Sequence, residues 1–169
     1  MGQCSVCGWA ARTRSSVQQS PASRVFTVPS DSGSIRPRKF GVVAITHRDG
    51  RFLTIRRGPT VAAGGTICFP GGHIEPGERE DEAVVRECRE EVAADVEAVE
   101  CVWRNVTEWG TSLAWWTVKF VGAENELVPH PVEVSEILWL SAREMLEHPD
   151  LLQGNRPFLE AVIAGRLDV

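Results

Sequence analysis

The sequence predicts an α/β domain, a set of short strands built around one helix rich in carboxylates. Three observations predict it. Apolar runs rich in Val, Ile, Thr, Phe and Trp recur between clusters of Gly, Pro and Asp. One stretch, residues 80–94, switches to a helical period, with Val84, Val85, Cys88 and Val92 on one face. The length of 169 residues, 43% hydrophobic and 24% charged, suits one domain with a sizeable core.

Residues 1–34 lack sustained periodicity and are rich in Ser, Arg, Gln and Pro, the composition of a flexible tail. Their excess of Arg and Ser over acids also resembles an organelle transit peptide. Residues 35–169 form the domain. Strands are expected at 40–46 and 51–56, joined by His47-Arg48-Asp49-Gly50, whose Asp-Gly pair favours a tight hairpin. Residues 57–66 hold Pro59, Gly64 and Gly65 and read as a loop. A short strand at 67–69 leads into Pro70-Gly71-Gly72, and the helix over 80–94 follows. Further strands are expected at 95–105, 113–121 and 132–140. Trp115 and Trp116, adjacent on the second of these, must point to opposite faces. Ser141 with Glu144 three residues later is a capping box for a helix over 142–147. Residues 154–165 form a closing helix with Phe158, Leu159, Val162 and Ile163 on its apolar side.

The helix over 80–94 carries the chemistry. Glu87, Glu90 and Glu91 share the face next to the apolar stripe, within about one turn. Like charges three and four residues apart repel, and Arg86 and Arg89 offset part of that. A hard divalent cation offsets more, since carboxylate oxygens suit magnesium or manganese. A solvated acidic face is the bland alternative. The Gly-Gly turn before the helix, together with the spacing, favours the cation.

That stretch, GGHIEPGEREDEAVVRECREE, resembles the signature box of the Nudix (MutT-like) hydrolases. Gly72 is followed, after five intervening residues, by Glu78, then after seven more by Arg86-Glu87, then by Glu90-Glu91. The departures are Cys88 at an aliphatic position, Ala93 for the second glycine and Ala94 for the last aliphatic residue. None removes a carboxylate. Without a glycine at 93 the helix is expected to end differently, nearer Asp95. The resemblance implies an α/β/α sandwich with a mixed sheet and a loop-helix-loop metal site, from about Phe40 onward. It implies magnesium, or manganese, held by Gly71, Glu87, Glu90 and Glu91. It makes Glu90, Glu91, Arg86 and Glu78 the catalytic set, with Arg86 holding the glutamates through Glu78. The general base is a box glutamate or lies on a distant loop, where Glu133 and Glu136 are the candidates. Arg56 and Arg57 are placed to meet a phosphate, and Trp109 to stack on a base.

The implied reaction is magnesium-dependent hydrolysis of the pyrophosphate bond of a nucleoside diphosphate linked to another moiety. A nucleoside triphosphate giving a monophosphate and pyrophosphate is the first choice. An ADP-ribose-type nucleotide sugar is the second, and a non-catalytic nucleotide-binding module is the rival of another class. The array that marks the NADH-cleaving subgroup, SQPWPFPxS after the box, has no match here. The resemblance also allows a homodimer. Residues 1–39 hold six Arg or Lys against one Asp, so with −5 overall the remainder carries −10. That acidic body does not suit binding to a nucleic acid polymer. No stretch is long and apolar enough to span a membrane. Five cysteines leave no fully paired framework. Cys68, Cys88 and Cys101 sit in apolar patterns, and Cys4-x-x-Cys7 lacks a second pair for zinc. A reducing cytoplasm is the simplest setting.

Overall fold

A computed structural model describes residues 39–121 and 126–169. The tail expected over residues 1–34, with Cys4 and Cys7, lies outside the described residues. The order is β1 (Lys39–Ile45), β2 (His47–Arg48), β3 (Arg51–Arg57), β4 (Ile67–Cys68), α1 (Glu80–Val92), β5 (Val96–Val106), β6 (Thr111–Phe120), β7 (Val134–Leu140), α2 (Ala142–Glu147) and α3 (Arg156–Ile163). Asp49 and Gly50 both have positive φ, 51° and 74°, as a primed hairpin turn requires.

Two sheets share the core. One has the order β1-β6-β5, with β1 and β6 parallel and β5 antiparallel to β6. The other centres on β3, which pairs with β7 along one edge and with β2 and β4 along the other, all antiparallel. The mixed arrangement matches the expected sandwich. Strand alternation divides the interior. Val42 and Ala44 join Leu53, Ile55, Val84, Cys88 and Val92 in a cluster under α1. Val43 and Ile45 join Phe52, Phe69, Trp115, Met145, Phe158 and Leu159 in a second cluster under α2 and α3. Both faces of β6 are therefore covered. Trp115 is fully buried and stacks on Phe158 at 4.6 Å, while Trp116 packs against the α1 cluster.

The glycine-rich turn continues the first sheet without being a named strand. Val42 N–H donates to the Gly72 carbonyl at 2.9 Å, Ala44 N–H to Pro70 at 2.8 Å, and Ile74 N–H to Phe40 at 3.1 Å. Backbone groups at 70, 72 and 74 thus face β1. The strand-like alternation leaves those of Gly71 and His73 facing away from it.

Most strand boundaries differ from expectation by a residue or two, and three further differences have a local cause or bear on the site. α1 stops at Val92, because Ala93 itself takes the left-handed conformation at φ 55°. Its N–H donates to Arg89 and that of Ala94 to Cys88, a closing pair of bonds that needs the left-handed residue but not a glycine. α3 begins only at Arg156, after a single 3-10 turn over Gln153–Asn155. β7 begins at Val134, so Glu133, expected on the strand, lies in the loop before it. α2 forms as expected. Ser141 Oγ accepts from Glu144 N–H at 3.2 Å, and the Glu144 carboxylate accepts from Ser141 N–H at 2.7 Å.

Candidate functional site

α1 starts where three acidic residues, Glu80, Asp81 and Glu82, meet the positive end of the helix dipole. The Glu82 carboxylate accepts from the Arg79 N–H at 3.1 Å. Arg104 on β5 clamps Glu80 through two bonds of 2.7 Å, and Trp116 Nε1 donates to the same carboxylate at 3.3 Å. This anchors α1 to the sheet and sets its rotation. The apolar stripe goes inward and the acidic stripe goes toward the glycine turn.

The turn covers that stripe. Glu87 is 8% exposed and Glu91 4%, whereas Glu90 is exposed. The acidic face is therefore not a simply solvated one. Gly72 lies against Glu87 so closely that a Cβ there would meet the carboxylate at 2.4–2.6 Å. Gly71, at φ 148°, leaves no room either, since its Cβ would meet the Val42 carbonyl oxygen at 2.2 Å. The groups turned away from β1 reach the helix. Gly71 N–H donates to Glu91 Oε2 at 2.8 Å, and the His73 carbonyl accepts from Arg86 at 2.9 Å.

Arg86 is the hub. It holds Glu78 through two parallel bonds of 2.8 and 3.0 Å, and also bonds Glu87 at 3.0 Å and Glu90 at 2.9 Å. The structure thus brings together Glu78, Arg86, Glu87, Glu90, Glu91 and Gly71. The same arginine has opposite outcomes on two carboxylates. Its hydrogen bonds hold Glu78 below the ordinary carboxylate range. Glu87 is raised, because burial outweighs the arginine. Glu91 is pushed up to about 8, first by burial and against the Gly71 hydrogen bond. The charge of Glu87 raises it further, that of Arg57 lowers it, and that of Glu133 raises it again. Of the two buried carboxylates, Glu87 bonds Arg86 and Glu91 bonds a backbone N–H, so the pair is short of positive charge.

Oxygen is the only donor type here, which fits a hard divalent cation. Among the described residues, no three His, Cys, Asp or Glu side chains already enclose a point for one. Arg86 spans Glu87 and Glu90, and a cation would compete with it for their oxygens. Cys68 and Cys88 take no part. Burial pushes both thiols up to about 12, so they are inert apolar filling.

The remaining candidates separate. Arg56 bonds Glu136 at 3.1 Å, Asp150 at 2.9 Å and the Gly65 carbonyl at 2.8 Å. Its Nε and Nη1 groups tie β3 to β7 and to the segment before α3. Glu136 is committed by the same pair. Arg57, next on the strand, donates to the Ala62 carbonyl at 2.8 Å and lies within electrostatic reach of Glu91. Glu133 reaches both Glu87 and Glu91 with its charge. Trp109 stands 76% exposed in the β5–β6 turn, apart from these contacts. Sequence reasoning missed His130, whose backbone N–H donates to the Glu91 carbonyl at 2.8 Å. The only signal was a lone histidine between Pro129 and Pro131.

A family model for the NUDIX domain matches residues 35–162. The CTP pyrophosphohydrolase of Escherichia coli (strain K12) is 34% identical over 129 residues, covering 74% of this chain and 91% of that protein. A NAD-capped RNA hydrolase, NudC of Stutzerimonas stutzeri (strain A1501), is 28% identical over 97% of this chain but only 56% of its own length. Among solved structures, the E. coli ORF135 protein is similar at a TM-score of 0.64 and 35% identity, covering 76% of this chain and 90% of that one. A MutT protein from Methanosarcina mazei Go1 has a TM-score of 0.66 at 22% identity, covering 79% and 99%, a likeness of fold.

Proposed function

The chain belongs to the Nudix family of hydrolases, which act on phosphoanhydride bonds, and from that premise we propose that it is a magnesium-dependent nucleoside triphosphate pyrophosphohydrolase. The observation that carries the reading is the pair of buried, charge-starved carboxylates, Glu87 and Glu91, roofed by the glycine turn. Glu87, Glu90, Glu91 and the Gly71 carbonyl would hold the cation, with manganese as an alternative. When bound, such a cation neutralises phosphate charge and lowers the pKa of water. The chain's own residues do the rest. Arg86 fixes the rotamers of Glu78, Glu87 and Glu90 from one point. Gly71 and Gly72 let the turn close onto β1 and onto the Glu87 carboxylate, as no side chain at either position would allow. Arg57 supplies positive charge beside Glu91. Water adds across the α–β phosphoanhydride, giving a nucleoside monophosphate and pyrophosphate, and a carboxylate takes the proton. Glu90, exposed beside the buried pair, and Glu133, whose charge reaches Glu87 and Glu91, are the candidates to take it.

Similarity to the CTP pyrophosphohydrolase over most of its length supports a nucleoside triphosphate as substrate. The missing SQPWPFPxS array speaks against NAD-type substrates. The test is product release from a panel of nucleoside triphosphates including oxidised purines, ADP-ribose, NADH, coenzyme A and dinucleoside polyphosphates, with Mg²⁺ and with EDTA. The expected result is metal-dependent release of monophosphate and pyrophosphate, abolished in Glu90→Gln. Silence across the panel, with nucleotide still bound in calorimetry, would overturn hydrolysis of these substrates in favour of a binding module.

A further inference from the structure

The loop between β6 and β7 is bound to α1 and β3 by a set of contacts that converge on one residue. The Val128 N–H donates to Val92 at 3.0 Å and the His130 N–H to Glu91 at 2.8 Å, so the loop is fastened to the last turn of α1. His130 Nδ1 then accepts from the N–H groups of Val132, at 3.4 Å, and Glu133, at 3.2 Å. Both partners are donors, so Nδ1 acts as the acceptor of this turn. The His130 carbonyl accepts from Val134 N–H at 3.0 Å, where β7 begins. From the other side the Glu133 carbonyl accepts from Gly58 N–H at 2.7 Å. Gly58 sits so tightly under this turn that a Cβ would meet the Val132 carbonyl oxygen at 1.9 Å. Glu133 is thus held through its backbone by a ring on one side and a bare glycine on the other. The histidine that holds it is also bonded to the backbone of Glu91.

We propose that His130 is a positioning residue that sets the carboxylate of Glu133 against the carboxylates of α1. The proposal rests on the hydrolase reading above and names the part that the facing loop plays in it. The ring does not touch substrate or cation. It replaces the missing backbone acceptor of a tight turn, as an Asn or Asp side chain does in an Asx turn. Asn is therefore the conservative variant, because its Oδ1 stands at the same bond distance from Cβ as Nδ1 of histidine. Gln places its acceptor one methylene farther and cannot close the same turn.

The experiment measures Mn²⁺ affinity by calorimetry, and kcat and KM on the best substrate of the panel. It uses the full chain carrying His130→Ala, His130→Asn, His130→Gln or Glu133→Gln, and the Ala and Gln changes combined. Loss of a nearby negative charge in Glu133→Gln is expected to weaken Mn²⁺ binding by about tenfold. His130→Ala and His130→Gln are expected to weaken it similarly and to lower kcat about 10- to 100-fold with KM within about threefold. His130→Asn is expected to restore both within about threefold, and His130→Ala to add nothing in the Glu133→Gln background. A merely structural histidine would give Asn and Gln variants alike and an additive double variant, and either result overturns the proposal. So does a Glu133→Gln protein that matches wild type in both measurements. If wild type turns over no substrate, the hydrolase reading fails, and Mn²⁺ affinity alone still decides the positioning role.

Discussion

Glu91 concentrates the tension of the site in one side chain. It is nearly inaccessible, accepts one backbone hydrogen bond, and faces the like charges of Glu87 and Glu133. A neutral isostere keeps the Gly71 bond and removes the charge. Glu91→Gln is therefore expected to fold at least as stably as wild type in EDTA. A cation at about 100 times its Kd stabilises the folded state by about 2.7 kcal/mol, which for a chain of this size raises Tm by roughly 5–10 °C. Scanning calorimetry with and without Mg²⁺ should show that rise in wild type and lose most of it in Glu91→Gln. An equal rise in both would remove Glu91 from the cation site. Arg56 teaches the opposite lesson at this scale. Its neighbour Arg57 has the same charge, yet Arg56 is tied to Glu136 and Asp150 while Arg57 lies near Glu91, on the far side of the break in the β3–β7 register between them.

Among the elements, α1 carries two devices that can be tested separately. Its C-cap residue Ala93 holds a left-handed conformation that costs a non-glycine residue about 1–2 kcal/mol. Ala93→Gly should relieve about 1 kcal/mol, seen as a Tm increase of about 2–4 °C; a decrease would mean that the cap needs the methyl group. The turn before the helix offers a contrast. A Cβ on Gly72 meets only the end of the Glu87 side chain, so Gly72→Ala should fold but misplace that carboxylate, with activity lowered about 100-fold. A Cβ on Gly71 meets the backbone of β1, so Gly71→Ala should lose about 2–4 kcal/mol of stability in urea unfolding. The strands, α1 and α2 were legible because periodicity, Asp49-Gly50 and the Ser141–Glu144 pair are local signals. Three things were not legible. The 3-10 turn before α3 and the late start of β7 depend on bonds to distant segments, as when Leu152 N–H donates to Ile67 and Gly58 N–H to Glu133. The burial of Glu87 and Glu91 depends on the turn folding over them, which no helical wheel contains.

For the molecule as a whole, α1 is fixed to the first sheet by the apolar cluster beneath it and by the Arg104–Glu80–Trp116 contact. The Arg104 bonds hold Glu80 below its ordinary pKa of 4.5, so the folded state keeps that carboxylate ionised where the unfolded chain takes up a proton. The contribution is fully present above pH 4.5 and is lost as pH falls through the lowered value. Acid titration of wild type should show this loss with a change in Trp fluorescence, and Glu80→Gln should flatten that part of the stability profile. An unchanged acid limb would mean that the contact does not hold the layers together. The pairing of the glycine turn with β1 reaches further than any side chain. Because a strand-like segment offers its peptide groups to alternate sides, the groups presented to the helix follow an odd–even count that starts at Pro70. Adding one residue between Pro70 and Gly71 exchanges the two sets, turning the Gly71 amide and the His73 carbonyl back toward β1 and away from Glu91 and Arg86. Length variation in this segment is therefore tolerable only in pairs of residues, or after the pairing with β1 has ended. The spacing that reads as a chemical signature is at this point a rule of parity, imposed by the geometry of the peptide unit.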